Sequence, residues 1–522
     1  MESNPRTPRG NARQNPLLGD AYQGPVLDEA LAEHFFNRFG FGATASDLET
    51  TVGRPAGEVM GELLAVGDEA REPSLRLVRW EEYGCNQDGD DLGIPELMAM
   101  PSKERSTRLQ ELRSIDKEQF LDHVCGWLRG MLEHRDPVRD RLTLFWHGFF
   151  PTSIRVTLRR YELIRQHRFL RRTALAGFGD LLHGIVRDAA MLGYFDNDSN
   201  SKEHPNENFA RELLELYSLG EGNYTEVDVR EAARCLTGYQ GESGHFVLNK
   251  DLHDEGEKVL LGQRGNFDGD DLAEILLGQE ACARYVSRAL LSWFEGSAPT
   301  DGRVDSYAAF MREHDYDLAA WIHRLSCDPD FYRDEVIGQR VAGPLEWLVS
   351  TSRRLGVSPS PHFLYYGAAF AGQQLYAPPC VTGWDEGEAW ITHSSLFQRA
   401  DLLGALLGLL TIEGHGEDGP GDKVAAFLAQ VRGHGLGVPD LAKSLTAAIG
   451  SEVGDEACVR WAADNWLGRE ADIVVLGTTG HRLQEMRKEL EATGPLLQHS
   501  KANEVLLHCA HTMLSSPIAH LA

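Results

Sequence analysis

Apolar residues recur at helical spacing along most of this chain, and strand-like alternation is confined to short pieces. From Asp28 the segment DEALAEHFFNRFGFGATASDLETTV carries an apolar stripe that stops at Gly40 and Gly42 and restarts behind a Thr44 or Ser46 cap. That pattern predicts a helix, a tight turn and a second helix. Between Asp122 and Arg172 the runs HVCGWLRGMLEH, RDRLTLFWHGFFPTS and RRYELIRQHRFLRRTALAGFG keep the helical period, which predicts helices stacked on helices. The best strand candidates are FVLN near Phe246, KVLLG at Lys258 and DIVVLG at Asp472, each bounded by turn residues. The expected fold is mainly α, a large multi-helix assembly with a few short strands, and no repeat of 20 to 50 residues stands out.

The same pattern divides the chain. Residues 1–26, rich in Pro, Asn, Arg and Gly, are expected to form a disordered or loosely docked arm. Residues 27–190 read as an N-terminal helical half with a charged insertion near 72–118 that runs into an amphipathic helix. A central motif region, 191–275, and a C-terminal helical half, 276–522, complete the division.

A length of 522 residues with 42% hydrophobic content is ordinary for a globular protein with a large core. The net charge of −28 is spread along the chain and disfavours nucleic acid or an anionic membrane surface as a partner. The eight cysteines are scattered, without CxxC or zinc spacing, and most read as small buried hydrophobes. No apolar run reaches membrane-spanning length, so no membrane span is expected. No apolar segment follows the N-terminal arginines, so the expected compartment is the cytoplasm, or the exterior if a leader has been removed.

Five segments taken in order, HFFNRFGFGAT, FWHGFF, NENFARELLELYSLGEGNYTEVDVREAARCLTGY, HDEGEKVLLGQRGNFDGDD and GWDEGEAWITHSSLFQR, resemble the bacterial DUF1800 family. The resemblance extends from about residue 30 to the closing LLHCAHTMLSSPIAHLA. It implies no assigned activity. Members often carry export signals and are often encoded beside the sulfatase-like DUF1501 family, which the resemblance implies as a partner. This chain departs from that pattern in showing no recognisable signal.

The stretch Tyr194–Tyr239 is densest in side chains able to do chemistry. Asp196, Asp198, Asn200 and Glu207 fall at positions 1, 3, 5 and 12 of a calcium-loop spacing, in which oxygen ligands converge on Ca²⁺ and the last Glu closes the site. Ser201 at the position that wants Gly, and Pro205, favour instead a loop whose short polar side chains satisfy its own backbone. On the following helix Phe209, Ala210, Leu213, Leu216 and Tyr217 share one side, and Glu207, Asn208, Arg211, Glu212 and Glu215 the other. That polar arc is either a solvated face with i,i+4 pairs or the wall of a cleft. In a cleft, Glu207 and Glu212 would split their pKa values around Arg211 and act as acid and base, with Asn208 touching substrate. The Thr225/Asp228 pair reads as a capping box.

Other groups could join them. His147 lies in an apolar run and is either a core histidine or an accessory polar group, and Arg159, Arg160 and His167 form a local basic patch. His253 and Asp254 could face one site from a loop. The acidic run GNFDGDDL reads better as a helix cap than as a chelator. Trp384 and Trp390 are either core fillers or platforms for a glycan or peptide. No GxSxG, HExxH, phosphate-loop or dinucleotide motif stands in a suitable context. Two functions remain open: a hydrolase with carboxylate acid/base chemistry using Glu207 and Glu212, with Arg159, Arg211, His147 and His253 in support, or a non-catalytic binding or assembly protein whose polar helix is a salt-bridge network.

Overall fold

The caps that punctuate the sequence start the helices of this computed structural model, which describes residues 23–65, 101–157, 160–242, 244–410, 439–467, 473–489 and 494–521. Asp28 accepts from the Leu31 amide at 2.9 Å and opens Glu29–Phe39, and Thr44 with Asp47 forms a capping box on Ala45–Thr51. Each satisfies an amide that the first turn leaves without an intrahelical partner. The described end of the N-terminal arm is docked: the carbonyls of Gln23 and Pro25 accept from the Gly57 and Ala56 amides at the start of Ala56–Ala65. Residues 66–100, which include the charged insertion from 72 to 100, lie outside the described residues, and the amphipathic helix beyond them is Ser102–Leu132.

The architecture is mainly α, and the two described sheets are antiparallel hairpins. Tyr239–Glu242 pairs with His245–Leu248, and Lys258–Leu260 pairs with Gln263–Gly265, as expected for FVLN and KVLLG. The third strand candidate is corrected. Ile473–Glu489 is a helix, in which Val475, Thr479, Leu483 and Met486 are buried at helical spacing and the element packs on Ala502–Leu514. A buried stripe along a seventeen-residue helix, facing a partner helix, outweighs the strand preference of three β-branched residues at its start.

Buried side chains gather in two apolar clusters. One draws on residues from Leu27 to Val336, and the other joins Phe120–Met131 to Ala342–Ala519. Pro137–Phe149 runs between them, sending Leu142, Phe145 and Trp146 into the first and Leu144 into the second. Every residue from Pro137 to His147 is buried, including Arg139, Asp140 and Arg141. Among the described residues no helix is long and apolar enough to cross a membrane.

Candidate functional site

The loop ahead of Asn208–Glu215 is built from its own polar side chains. Asp196 adopts the left-handed conformation (φ 55°), and its carbonyl accepts from Ser199 Oγ at 2.9 Å and from Asn206 Nδ2 at 3.0 Å. Asp198 Oδ1 accepts from the Gly241 amide at 2.7 Å, tying the loop to the first hairpin. Asn200 is fully buried; its Nδ2 donates to the Ala233 carbonyl at 3.0 Å and its Oδ1 accepts from the Asn206 amide at 3.0 Å. One side-chain oxygen of each proposed ligand is engaged with a protein group: Asp196 Oδ2 with Ser199 Oγ at 3.1 Å, Asp198 Oδ1 with the Gly241 amide, Asn200 Oδ1 with the Asn206 amide and Glu207 Oε2 with Arg211. Among the described residues no group of three or more His, Cys, Asp or Glu is placed to hold a metal ion.

Phe209, Ala210, Leu213 and Tyr217 are buried as the wheel predicts, Leu214 is buried as well and Leu216 is half-buried, while Glu207, Arg211, Glu212 and Glu215 are half-exposed and Asn208 is exposed. Arg211 is shared: it donates to Glu207 Oε2 at 3.1 Å and takes both oxygens of Glu226 at 2.8 Å. Glu215 accepts from the Tyr224 hydroxyl at 2.5 Å. Glu212 differs from its neighbours. Its carboxyl has no hydrogen-bond or ion-pair partner among the described residues, and burial, followed by repulsion from Glu215, raises its pKa against the pull of Arg211. It acts electrostatically on Tyr194 and Tyr217, as does the exposed thiol of Cys380, and Tyr217 donates to the Val381 carbonyl at 3.4 Å.

The remaining predicted residues stand apart from this face. His147 is 1% exposed, and its Nε2 accepts from the Tyr376 amide at 3.1 Å. It lies in a buried group with His123, His167, Trp127 and Tyr376, in which His123 Nε2 and His167 Nδ1 share a proton at 2.9 Å. Burial pushes His147 and His123 down to about 3 and His167 well below its ordinary value, so all three are neutral at pH 7. Trp384, half-buried, meets His147 at 5.2 Å between ring centres, and Trp390 is buried. Gly383 lets this loop approach: at φ 87° a Cβ there would overlap the Gly148 carbonyl oxygen.

His253 Nδ1 bonds the Thr237 carbonyl at 2.7 Å, and Asp254 takes Arg234 at 2.7 Å. Arg159 lies outside the described residues. Its neighbour Arg160 pairs with Asp116 at 2.7 Å. Asp268 and Asp271 form a capping box on Gly269–Leu277, as their sequence suggests. Missed altogether is a set of interior arginines, Arg38, Arg141, Arg340 and Arg399, around Glu346. Arg38 and Arg141 stand among phenylalanines and leucines, but on helices that also carry other polar and charged residues, so nothing in the sequence sets them apart from solvated arginines.

These features define a mainly α-helical protein with a polar helix face at its surface, on which Arg211 and Glu215 are paired and Glu212 is not, and a charged interior seam. The chain matches the family described as "Protein of unknown function (DUF1800)" over residues 34–517, and it belongs to that family. No curated protein and no solved structure matches it.

Proposed function

We propose that this is a non-catalytic binding or assembly protein in which the polar face of Asn208–Glu215 is a salt-bridge network that fixes a docking surface. The observation that carries this reading is the commitment of the candidate groups to one another. Arg211 is divided between Glu207 and Glu226, Glu215 holds Tyr224, and His253 holds the Thr237 carbonyl. His147 is in the interior, where it accepts from the Tyr376 amide rather than bonding these carboxylates. An acid/base pair needs its carboxyl groups converging on one accessible cleft, and these side chains are spread over an exposed helix and a buried core. The partner that the family resemblance supplies is a sulfatase-like DUF1501 protein. Co-expression followed by size-exclusion chromatography tests it: a stable complex is expected, and its loss in Arg211→Glu would map it to this face. Separate elution of the two proteins at micromolar concentration would remove that partner.

One observation favours a second reading, a hydrolase acting on a glycan or peptide-like substrate. Glu212 is half-buried, unpaired and raised in pKa beside Tyr194 and Cys380, which suits a general acid. A panel of chromogenic glycosides, esters and peptides distinguishes the two. Turnover by the wild type that disappears in Glu212→Gln, with unfolding unchanged, would displace the assembly reading.

A further inference from the structure

Pro517–His520 is a short 3-10 helix that packs on Ala502–Leu514, and with Leu521 it lies across the charged interior seam. Leu521 forms an antiparallel bridge with Val341, and the His520 carbonyl accepts from the Ala342 amide at 3.0 Å. Ala519 and Leu521 line one side of a small cavity whose other walls include Arg141, Glu346, Trp347 and Arg354. These ties bring His520 inside: it is 1% exposed, and its ring lies 5.6 Å from that of Trp347.

There the ring meets a guanidinium. Arg399, fully buried on His393–Leu406, donates to the Ala342 carbonyl through Nη2 at 2.8 Å and to His520 Nδ1 through Nη1 at 3.4 Å. A guanidinium can only donate, so Nδ1 is the acceptor and neutral His520 carries its hydrogen on Nε2, which has no partner. The contact therefore exists only while His520 is neutral. A proton on Nδ1 takes the acceptor away and sets two cations side by side. The surrounding charges offer little relief. Arg399 is the charge that acts on His520, and Glu346, the carboxylate that acts on Arg399, already accepts from Arg340 and the Gly343 amide and pairs with Arg141. Glu386 interacts with Arg340 and Glu346, and His511, on Ala502–Leu514, bonds the Ala400 carbonyl at 3.1 Å.

We propose that Pro517–His520 and Leu521 form an acid-released strap: a proton taken by His520 at Nδ1 breaks its contact with Arg399, and the segment lifts from Val341 and Ala342 while the helices beneath it stay folded. Release uncovers Arg399 and the Trp347 face and admits water to the seam. The strap is independent of the reading given to Asn208–Glu215. Lifting breaks the Ala342 and Arg399 bonds and the Leu521 bridge, far less than unfolding the two apolar clusters would. Burial, followed by Arg399, pushes His520 down to about 3 in the closed strap, and the lifted residue returns towards 6.5. The ratio of lifted to closed strap should therefore be nearly constant above pH 7, rise as the pH falls through 6.5, and reach about thirtyfold its pH 7.5 value at pH 5.

The test is hydrogen exchange of the full chain, corrected for the intrinsic exchange rate at each pH. The Ala342 amide, which donates to His520, reports the strap, and the Phe150 amide, which donates to the Trp146 carbonyl at 2.8 Å, reports the core. Ala342 is expected to be less protected than Phe150 at every pH, and its protection to fall about thirtyfold between pH 7.5 and 5. His520→Gln keeps an acceptor oxygen for Arg399 but takes up no proton, so its Ala342 protection should change by less than about threefold over the same range. Equal protection of Ala342 and Phe150 at pH 5 would mean that the segment opens only with the core, and would overturn the strap. So would a wild-type fall under about threefold, or the same fall in His520→Gln. The two wild-type comparisons stand even where the variant does not fold.

Discussion

Glu346 illustrates how one side chain can carry a seam of charge. Burial pushes its carboxyl up, but Arg141 and Arg340 outweigh burial and hold it at about 2. A carboxyl depressed on folding contributes stability that is fully present above its ordinary value near 4.5 and is lost as the pH falls through about 2. Glu346→Gln leaves two interior guanidiniums without their carboxylate, and removal of one partner from a buried pair costs about 3–5 kcal/mol. Urea unfolding at pH 7 should show a loss of that size; a loss under about 1 kcal/mol would mean that the cluster relaxes or admits water. Arg211→Met is the contrasting case. Its pairs with Glu207 and Glu226 are solvated, so its unfolding midpoint is expected to match the wild type within error. A clear drop would show that the surface network is a structural support in its own right. The difference between the two arginines was not legible in the sequence. Arg211 and Arg141 both stand on amphipathic-looking helices, and only the elements that close over Pro137–Phe149 from elsewhere in the chain make Arg141 interior.

At the level of elements, local chemistry set most boundaries. The Thr225/Asp228 box forms as its spacing implies, with Thr225 Oγ1 accepting from the Asp228 amide at 3.3 Å and Asp228 Oδ2 from the Thr225 amide at 2.9 Å. Asp228 does more than cap: its Oδ1 accepts from the Leu261 amide at 2.7 Å and so anchors the second hairpin to Glu226–Cys235. Thr225→Ala should cost about 1 kcal/mol, the usual loss for a cap. Asp228→Ala removes the cap and the hairpin anchor together and should cost about twice that. Denaturant titration of both variants checks this, and equal losses would show that the hairpin bond contributes nothing. The same local reading failed at Ile473–Glu489, where three β-branched residues suggested a strand but packing against Ala502–Leu514 decides. At Asp196, Asp198, Asn200 and Glu207 the same reading offered a ligand spacing, and in the fold one side-chain oxygen of each is bonded to Ser199, Gly241, Asn206 and Arg211 in turn. Periodicity reports which face of an element is apolar. It does not report which distant backbone will take a given oxygen.

On the scale of the whole molecule, the two apolar clusters meet along Pro137–Phe149, and this helix carries both polar interiors: Arg141 faces the arginine group and His147 faces the histidine group. The seam should therefore be where acid opens the protein. His123 and His147 are held near 3 by burial, so relative to the unfolded chain they contribute stability that is present above their ordinary value of 6.5 and is lost as the pH falls from 6.5 towards 3. Asp140 and Asp188 act in the opposite sense. Burial raises both to about 7, so their contribution grows as the pH falls from 7 towards 4. The wild-type curve sums these opposed proton uptakes and can be nearly flat between pH 6 and 5 without any of them being absent. A difference measurement separates them. His147→Gln keeps a carbonyl acceptor for the Tyr376 amide but cannot take up a proton. The variant should be less stable than the wild type at pH 8, and the gap should narrow below pH 6.5 by up to about 1.4 kcal/mol per pH unit, the value of one proton. Urea unfolding of both proteins at half-unit steps from pH 8 to 5 measures that gap. A gap that stays constant would mean that His147 reaches solvent in the folded state, and that the seam is wetter than its packing implies.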